Sequence, residues 1–433
     1  EDLVVPKDVV LRIRQGLAKV AARDRGSFLL LSWNIDGIDE AGPRDLMLRS
    51  LAVAEHIAVT QPAVVMLQEA VPPVLELLSA PQALGNHYDV VCPDSPKMPY
   101  YCVLLLHKSR VQKLSAPLTT HFPSSRMGRH FLAVDVSVDQ QRNSPLTLVT
   151  THLESTKTEK AERIKQLVQV FLASADFVAK GRTVILAGDL NIRDEEVNTA
   201  RKLASEKSAG IADIVDAWIW CGSPKAHEFT WDTSQNTNLG AMYSSRCRFD
   251  RCFFAAPGVT NRKEAGRAKQ DSGPVSDRAW RASALELVGR SKVSGLGRFP
   301  SDHWGLQVKW TLPAACQASS APSDSAKGEG SAITENSAMP AESAASTILD
   351  AERSHRRELA AARAEQRQKQ FASRGLGRQS TQVAVTSDAA HEEESEEAML
   401  QQAIAMSLAG SETEKAARSG DKTPENSSHE QAA

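Results

Sequence analysis

The sequence has few cysteines and no long apolar run. Its six cysteines are scattered without a CxxC pair, so we expect a reducing environment rather than a disulfide framework. No apolar run reaches the roughly 20 residues that a bilayer span requires, so we expect no membrane partner. Residues 1–26 lack the apolar stretch of a signal peptide, and they are expected to form an N-terminal helical extension.

The chain also lacks a strong net charge, since 51 basic and 53 acidic residues leave a formal charge of -2. This balance excludes a nucleic-acid signature spread over the whole protein. A nucleic-acid enzyme with this composition must therefore rely on a local basic cleft. The candidate cations for such a cleft are Arg126, Arg129, Lys157, Arg193, Arg248 and Arg251.

Aromatic residues almost disappear after Trp310, because only Phe371 follows it. The C-terminal part therefore cannot build an ordinary hydrophobic core. We expect one folded domain over residues 27–313 and a largely disordered tail with short helices. The predicted tail segments are a disordered linker (314–345), a charged helix (346–375), a short motif (391–410) and a disordered end (411–433).

Polar clusters stand at the ends of five apparent strands. Four apolar segments, 28–31, 64–67, 146–149 and 183–187, are each followed by such a cluster, and a fifth cluster precedes the alternating pattern of residues 306–312. Strands that lie side by side gather these ends at one edge of a sheet, which predicts a polar cleft. The clusters contain Asn34 and Asp36; Glu69; His152; Asp189 and Asn191; and Asp302 and His303.

These residue types indicate metal-assisted cleavage of a phosphodiester. Asp36 and Glu69 suit a hard cation such as Mg²⁺, which binds few carboxylates and keeps waters and phosphate oxygens. His152 and His303 can donate hydrogen bonds to the charge that develops on the phosphoryl oxygens. Asp302 is the carboxylate expected to fix the imidazole tautomer of His303.

Asp189 is the predicted acceptor of the proton from an attacking water, with Asn34 and Asn191 orienting the pair. No cysteine or serine stands in a setting that favours a nucleophile. Direct attack by water is therefore preferred to a covalent intermediate.

The blocks resemble the endonuclease/exonuclease/phosphatase superfamily, and within it the 5′-tyrosyl-DNA phosphodiesterases. The similarity spans residues 27–312 and includes long strings of residues. The strings that carry it are residues 33–37, 125–129, 151–156, 188–194, 230–233, 238–240, 248–251 and 299–306.

The resemblance implies an α/β fold, a four-layer sandwich of two mixed sheets flanked by helices. It implies hydrolysis of the bond between a topoisomerase tyrosine and a DNA 5′ phosphate with Mg²⁺, for which Mn²⁺ can substitute. We also expect a monomer, and from this substrate we expect a nuclear and also cytoplasmic location. Asp36 and Glu69 would hold the metal, and Asp189 would be the acid/base. The expected DNA contacts, which include three residues of the basic set, are Ser155, Thr156, Lys157, Trp231, Phe249, Tyr100, Arg193 and Arg248.

Three features depart from the family pattern. Ala70 replaces a β-branched residue, Ala255 replaces a basic residue, and residues 258–285 are expected to form an expanded basic loop. Other substrates of the same fold stay open at this point, namely abasic DNA, RNA 3′ ends and lipid phosphates. Abasic endonucleases carry lysine at the position of Ala70, which disfavours the first of these. An adaptor that binds ubiquitin and DNA is the alternative outside enzymes.

A second motif lies near the C-terminus, at residues 391–410. An acidic run precedes an amphipathic segment and resembles a ubiquitin-interacting motif, so we expect ubiquitin as a partner. Glutamates ahead of the helix favour its N-terminus. The residues on the predicted binding face are Leu400, Ala403, Ile404 and Ser407.

Overall fold

The computed structural model describes residues 6–19, 26–141, 144–240, 244–257 and 279–312. The predicted tail segments from residue 314 onward, including the ubiquitin-interacting motif, lie outside the described residues. So do residues 1–5 and 20–25 of the predicted N-terminal extension and residues 258–278 of the predicted loop.

Fifteen strands lie in the described part of the chain. They are β1 (Ser27–Asn34), β2 (Val64–Ala70), β3 (Tyr88–Val91), β4 (Tyr101–His107), β5 (Val111–Lys113), β6 (Leu118–His121), β7 (His130–Val138), β8 (Leu146–His152), β9 (Thr183–Asp189), β10 (Val215–Asp216), β11 (Trp231–Asp232), β12 (Arg246–Cys247), β13 (Asp250–Ala255), β14 (Arg281–Val288) and β15 (Gly305–Thr311).

Six α-helices accompany them in the same described ranges. They are α1 (Lys7–Ala18), α2 (Pro43–Thr60), α3 (Pro72–Ser79), α4 (Lys160–Ala179), α5 (Asp194–Ser205) and α6 (Ala217–Trp220). The amphipathic pattern predicted a helix from Lys160 to Phe171, and α4 confirms its start and extends eight residues past Phe171. None of these helices combines the length and the apolarity that a membrane span requires.

The strands form two mixed sheets. The first has the order β14-β15-β1-β2-β4-β3, and the second has the order β10-β13-β9-β8-β7-β5, with β6 also paired to β7. In each sheet one central pair is parallel, β1 with β2 and β8 with β9, and its neighbours are antiparallel. Parallel pairing places the carboxyl ends of β1 and β2 at one edge, and those of β8 and β9 likewise.

Alternating side chains of the strands supply two of the buried layers. Phe28 and Leu30 on β1 pack with Ile185 of β9 in the core between the two sheets. Leu31 and Trp33 on the other face of β1 join the core beneath α1, α2 and α3. Helix α4 packs on β9 and β13 of the second sheet. The predicted four-layer sandwich is confirmed.

One prediction about this region was wrong. Residues 258–285 were expected to form a loop, but the chain from Arg281 to Val288 is an edge strand that pairs with β15. Buried Ala282, Leu285 and Leu287 alternate with exposed neighbours along much of it. The basic composition of residues 262–269 concealed the start of this apolar alternation.

Candidate active site

The predicted residues lie at the ends of central strands because the register brings those ends together. His152, the last residue of β8, is the partner of Asp189, the last residue of β9. Asp250 opens antiparallel β13 and is paired with Asp189 from the other side. In the facing sheet, Asn34 at the end of β1 pairs with Gln68 of β2, directly before Glu69.

Three site residues have left-handed backbone conformations. Asp36, Glu69 and Asn191 have φ values of 50°, 56° and 50°. Non-glycine residues adopt this region at an energetic cost, and such residues concentrate at functional sites. Asp36 and Asn191 each lie two residues past the end of a buried strand, and Glu69 is the penultimate residue of β2, where the pairing with β4 shifts register.

Asp189 is the centre of the hydrogen-bond network. Its carboxylate accepts a hydrogen bond from Asn34 Nδ2 at 2.9 Å and another from the backbone N–H of Asn191 at 2.9 Å. His152 Nε2 lies 3.3 Å away and His303 Nε2 lies 3.8 Å away. Burial raises the pKa of Asp189, but the charges of the two imidazoles and the hydrogen bonds outweigh it and hold the pKa well below its usual range. The carboxylate therefore stays ionised.

His152 is fixed from both sides. Arg129 Nη1 donates to His152 Nδ1 at 2.8 Å. Because a guanidinium has no acceptor, Nδ1 accepts this hydrogen bond, while Nε2 lies 3.3 Å from Asp189 Oδ2 and 3.0 Å from Asn191 Nδ2. Glu69 Oε1 lies 4.0 Å from the same ring. The ring thus touches the carboxylates of both sheets.

The carboxylate partner of His303 is Asp250, and the prediction of Asp302 for this role was wrong. His303 Nδ1 lies 2.7 Å from Asp250 Oδ2. Asp302, although adjacent in sequence, instead accepts a hydrogen bond from Trp231 Nε1 at 3.4 Å. Burial lowers the pKa of His303, but the charges of Asp250, Asp189 and Asp302 outweigh it and raise the pKa well above its usual value. His303 is therefore an imidazolium.

Asp36 and Glu69 form an oxygen-rich corner that fits a divalent cation. Burial, then the charges of Asp302 and Glu69, raise the pKa of Asp36 well above its usual value, and Arg49 compensates only in part. A cation bound near these carboxylates would offset their mutual repulsion. The donor set is entirely oxygen, which a hard ion prefers.

A second group of potential ligands is Asp189, Asp250 and His303, whose ligand atoms lie within 4.8 Å of one another. The 2.7 Å contact between His303 and Asp250 has the length of a charge-assisted hydrogen bond. An imidazolium cannot also ligate a cation. The corner of Asp36 and Glu69 is therefore the other candidate position for a cation.

Arg49 of α2 is a site residue that sequence reasoning missed. It is 1% exposed and donates to the backbone carbonyls of Ile35, Asp36 and Pro300 at 3.1 to 3.2 Å. Its Nε also donates to Asp45 at 2.7 Å. One buried guanidinium thus ties the turn of Asp36 to the segment that carries His303.

Most of the predicted DNA contacts surround the cleft. Ser155, Thr156 and Lys157 follow β8, and Lys157 is exposed. The rings of Trp231 and Phe249 pack 5.7 Å apart, and Arg193 lies 5.8 Å from the Phe249 ring. Trp231 also donates to Asp302, the neighbour of His303, and Ser155 to Lys157 follow His152 directly in sequence.

One predicted DNA contact was wrong. The Arg248 side chain is 8% exposed and forms ion pairs with Asp216 at 2.6 Å and with Asp194 at 2.7 Å, so it presents no open face to a nucleic acid. Tyr100 is 5% exposed, with Arg129 5.3 Å above its ring, and it lines the same small pocket as His152. Its contact with DNA stays a prediction. Arg251, another candidate cation, is also buried and paired with Asp194.

Comparisons with known proteins agree with this geometry. The profile of the endonuclease/exonuclease/phosphatase family matches residues 31–303, and that of the ubiquitin interaction motif matches residues 395–411. Tyrosyl-DNA phosphodiesterase 2 of Homo sapiens is 37% identical over 285 residues, which are 66% of this chain and 68% of the human protein. The Xenopus laevis protein of the same name is 35% identical over 307 residues, covering 71% and 72% of the two chains.

Solved structures give the same result. The crystal structure of Danio rerio tyrosyl-DNA phosphodiesterase 2 complexed with single-strand DNA product is similar with a TM-score of 0.53 and 31% identity, over 66% of this chain and 99% of that chain. The Caenorhabditis elegans enzyme is similar with a TM-score of 0.54 and 27% identity, over 68% and 78%. The chain therefore belongs to the endonuclease/exonuclease/phosphatase family and, within it, to the tyrosyl-DNA phosphodiesterase 2 proteins.

Proposed function

We propose that this chain is a divalent-metal-dependent phosphodiesterase that hydrolyses the 5′-phosphotyrosyl bond between a topoisomerase tyrosine and DNA during DNA repair. The observation that carries the proposal is the buried Asp189 between two histidines, opposite the carboxylates of Asp36 and Glu69. Membership in the tyrosyl-DNA phosphodiesterase 2 proteins supports this choice of substrate.

Each residue of the site has a separate role in a direct attack by water. Asp189, ionised and held by Asn34 and Asn191, orients the water and accepts its proton as the new P–O bond forms. His303, kept protonated by Asp250, donates to a phosphoryl oxygen, and His152, held by Arg129, is the proposed second donor. A tyrosine phenolate, with a pKa of about 10, leaves more readily than a sugar alkoxide.

We propose Mg²⁺ as the metal, held by Asp36 and Glu69, with Mn²⁺ as a substitute. When bound, the ion supplies Lewis-acid polarisation of a phosphoryl oxygen. The all-oxygen donor set favours a hard ion over zinc. Arg49 holds the turn of Asp36 in place and keeps the corner formed.

The DNA 5′ end is proposed to contact Ser155, Thr156 and Lys157 on one side and Trp231 and Phe249 on the other. Aromatic walls favour bases of single-stranded ends through stacking. Arg193, which is exposed and lies 5.8 Å from the Phe249 ring, would supply a positive charge for a backbone phosphate.

Turnover on a panel of substrates tests the proposal. We expect Mg²⁺-dependent release of tyrosine from a 5′-phosphotyrosyl oligonucleotide to exceed turnover of abasic duplex DNA, an RNA 3′ end and an inositol phospholipid. A higher kcat/KM on any of the other three would overturn the proposed substrate and keep the fold assignment. No turnover of any of them would favour the adaptor.

We also propose that residues 395–411 bind ubiquitin, because the ubiquitin interaction motif profile matches them. The Ala403→Arg variant of the full chain is expected to abolish chemical-shift changes in labelled ubiquitin, since a bulky cation blocks close approach of the helix. Ala416→Arg, outside the motif, is the matched control. Equal loss in both variants would contradict the assignment.

The proposed substrate implies a nuclear location, with a cytoplasmic pool, and action as a monomer. Fractionation of cells that express the tagged chain tests the first point. Light scattering of the purified chain tests the second, and a stable dimer would contradict it.

A further inference from the structure

The segment from Gly289 to Arg298 lies at the active-site edge of the first sheet. It leaves the end of β14, whose last residue, Val288, pairs with Gly305, two residues after His303. A Cβ on Gly289 would lie 2.2 Å from the ring of Trp33, and Trp33 Nε1 donates to the His303 carbonyl at 3.0 Å. Packing and pairing thus place this segment beside the catalytic histidine.

This segment is strongly cationic. It contains Arg290, Lys292 and Arg298 and no acidic residue. Arg298 is neutralised by Asp39 and Asp45. Among the described residues, Arg290 and Lys292 form no ion pair, so no described carboxylate neutralises these two positive charges.

Aromatic and polar neighbours hold these two cations in place. Arg290 lies 5.7 Å from the ring of Trp304, and it donates to Gln235 at 2.7 Å and to the Ala226 carbonyl at 3.3 Å. Lys292 lies 5.6 Å from the ring of Phe299. Cation–π contacts of this kind restrain a side chain but leave its charge available to an anion.

Two glycines of this segment allow its turn and add no side chain to the surface. Gly295 and Gly297 have φ values of 73° and 72°, and a Cβ on either would meet nothing within 4 Å. Their role is therefore the shape of the turn rather than packing. The turn leaves the exposed Lys292 and Ser294 uncovered on the surface.

We propose that Arg290 and Lys292 form a surface that binds the phosphodiester backbone of the DNA strand beyond the scissile 5′ phosphate. The inference rests on the proposed function, because it extends the same substrate past the walls of Trp231 and Phe249. Gln235 links the two regions, since it lies on the loop that follows Trp231 and contacts Arg290. Positive charge along this path suits a phosphate backbone, which gains affinity from each cation it meets.

Substrates of two lengths distinguish DNA binding by this surface from the chemical step. The full chain is assayed on a 5′-phosphotyrosyl dinucleotide and on a single strand of about a dozen nucleotides, within the usual range of a single-strand site. Arg290→Gln and Lys292→Gln are expected to lower kcat/KM several-fold on the long strand and to leave the dinucleotide unchanged. On the long strand, the slope of log kcat/KM against log salt should decrease by about 0.7 for each phosphate that a removed cation no longer neutralises.

Lys180→Gln is the matched control, because Lys180 also lies over an aromatic ring, 5.8 Å from Phe177, at the far end of α4. Its kinetics should equal those of the wild type on both strands. Equal losses on both lengths in the Arg290 and Lys292 variants would show a structural role, and no loss on either would remove the surface. If the variants instead lose activity only on substrates that carry a longer peptide at the tyrosine, the surface binds the protein side of the adduct.

Failure of the proposed function has a different result. In that case the wild type releases no tyrosine even from the dinucleotide. The comparison of lengths then has no activity to compare, and both proposals are overturned together.

Discussion

His303 Nδ1 lies 2.7 Å from Asp250 Oδ2, and Asp250 forms no other ion pair among the described residues. Asp250 starts β13, directly beside Asp189 at the end of β9. One carboxylate thus favours a protonated His303, while its neighbour in the next strand, Asp189, is the proposed proton acceptor. The proposed proton donor, His303, and the proposed proton acceptor, Asp189, lie 3.8 Å apart.

Asp250→Asn should move the alkaline limb of the pH profile of kcat/KM to lower pH. The pKa of His303 is raised by Asp250, so removal of that charge makes the imidazolium lose its proton at lower pH. We expect a displacement of about one pH unit or more. Asp302→Asn removes a smaller contribution and should displace the limb less. An unchanged limb in Asp250→Asn would mean that His303 does not act as an acid.

Gly37→Ala should raise the Mg²⁺ concentration required for half-maximal activity by about tenfold or more. A Cβ at this position would lie 2.2 Å from the Glu69 carbonyl oxygen, so the turn that presents Glu69 must shift. Gly210→Ala is the control, since its Cβ would meet only ordinary contacts at 3.5 Å. The same Mg²⁺ requirement in all three proteins would show that Glu69 does not bind the metal.

Arg49→Met should lower the free energy of unfolding by roughly 3 to 5 kcal/mol, because it leaves Asp45 and three carbonyls without their donor in a buried setting. Exposed Arg44, on the first turn of the same helix, supplies the matched control Arg44→Met. Denaturant unfolding measures both variants. A cost below about 1 kcal/mol, the usual range of a surface pair, would contradict the clamp.

The sequence predicted the parts of the site that depend on local pattern. Five strands are predicted by their own apolar residues, and each has a site residue in or next to it. These site residues are Asp36, Glu69, His152, Asp189 and His303. Asp250 has the same signal, because it opens the apolar run from Cys252 to Ala255. The cations and Phe249 beside it concealed that signal, since they indicate nucleic-acid contacts rather than a histidine partner.

Other features depend on contacts that no local pattern reports. Arg49 donates to the carbonyl of Pro300, which is 251 residues away. Arg248 meets Asp194 and Asp216, which are 54 and 32 residues away. Composition marks arginines as candidate nucleic-acid contacts, but only tertiary structure shows which of them are already neutralised.

His130 should make the stability of the fold depend on pH between about 4 and 6.5. Burial lowers the pKa of His130 to about 4, with His121, Arg129 and His152 acting in the same direction. The unfolded chain then binds a proton in this range that the folded chain does not, so stability rises with pH. This effect of His130 on the free energy of unfolding reaches up to roughly 3 kcal/mol.

His130→Gln should flatten this dependence, measured as the change in Tm between pH 4.5 and pH 7. His87→Gln, at a half-exposed position, should keep the wild-type dependence. Steepening rather than flattening in His130→Gln would contradict the assignment of this dependence to His130.

Single-turnover release of tyrosine from a 5′-phosphotyrosyl oligonucleotide by Asp189→Asn is the decisive experiment for the proposed mechanism. We expect a rate lower by about a thousandfold or more, because the water loses its proton acceptor while Asn34 and Asn191 remain. Asp176→Asn, on the exposed face of α4, should react at the wild-type rate. Undiminished, metal-dependent release by Asp189→Asn would show that the reaction does not use this site.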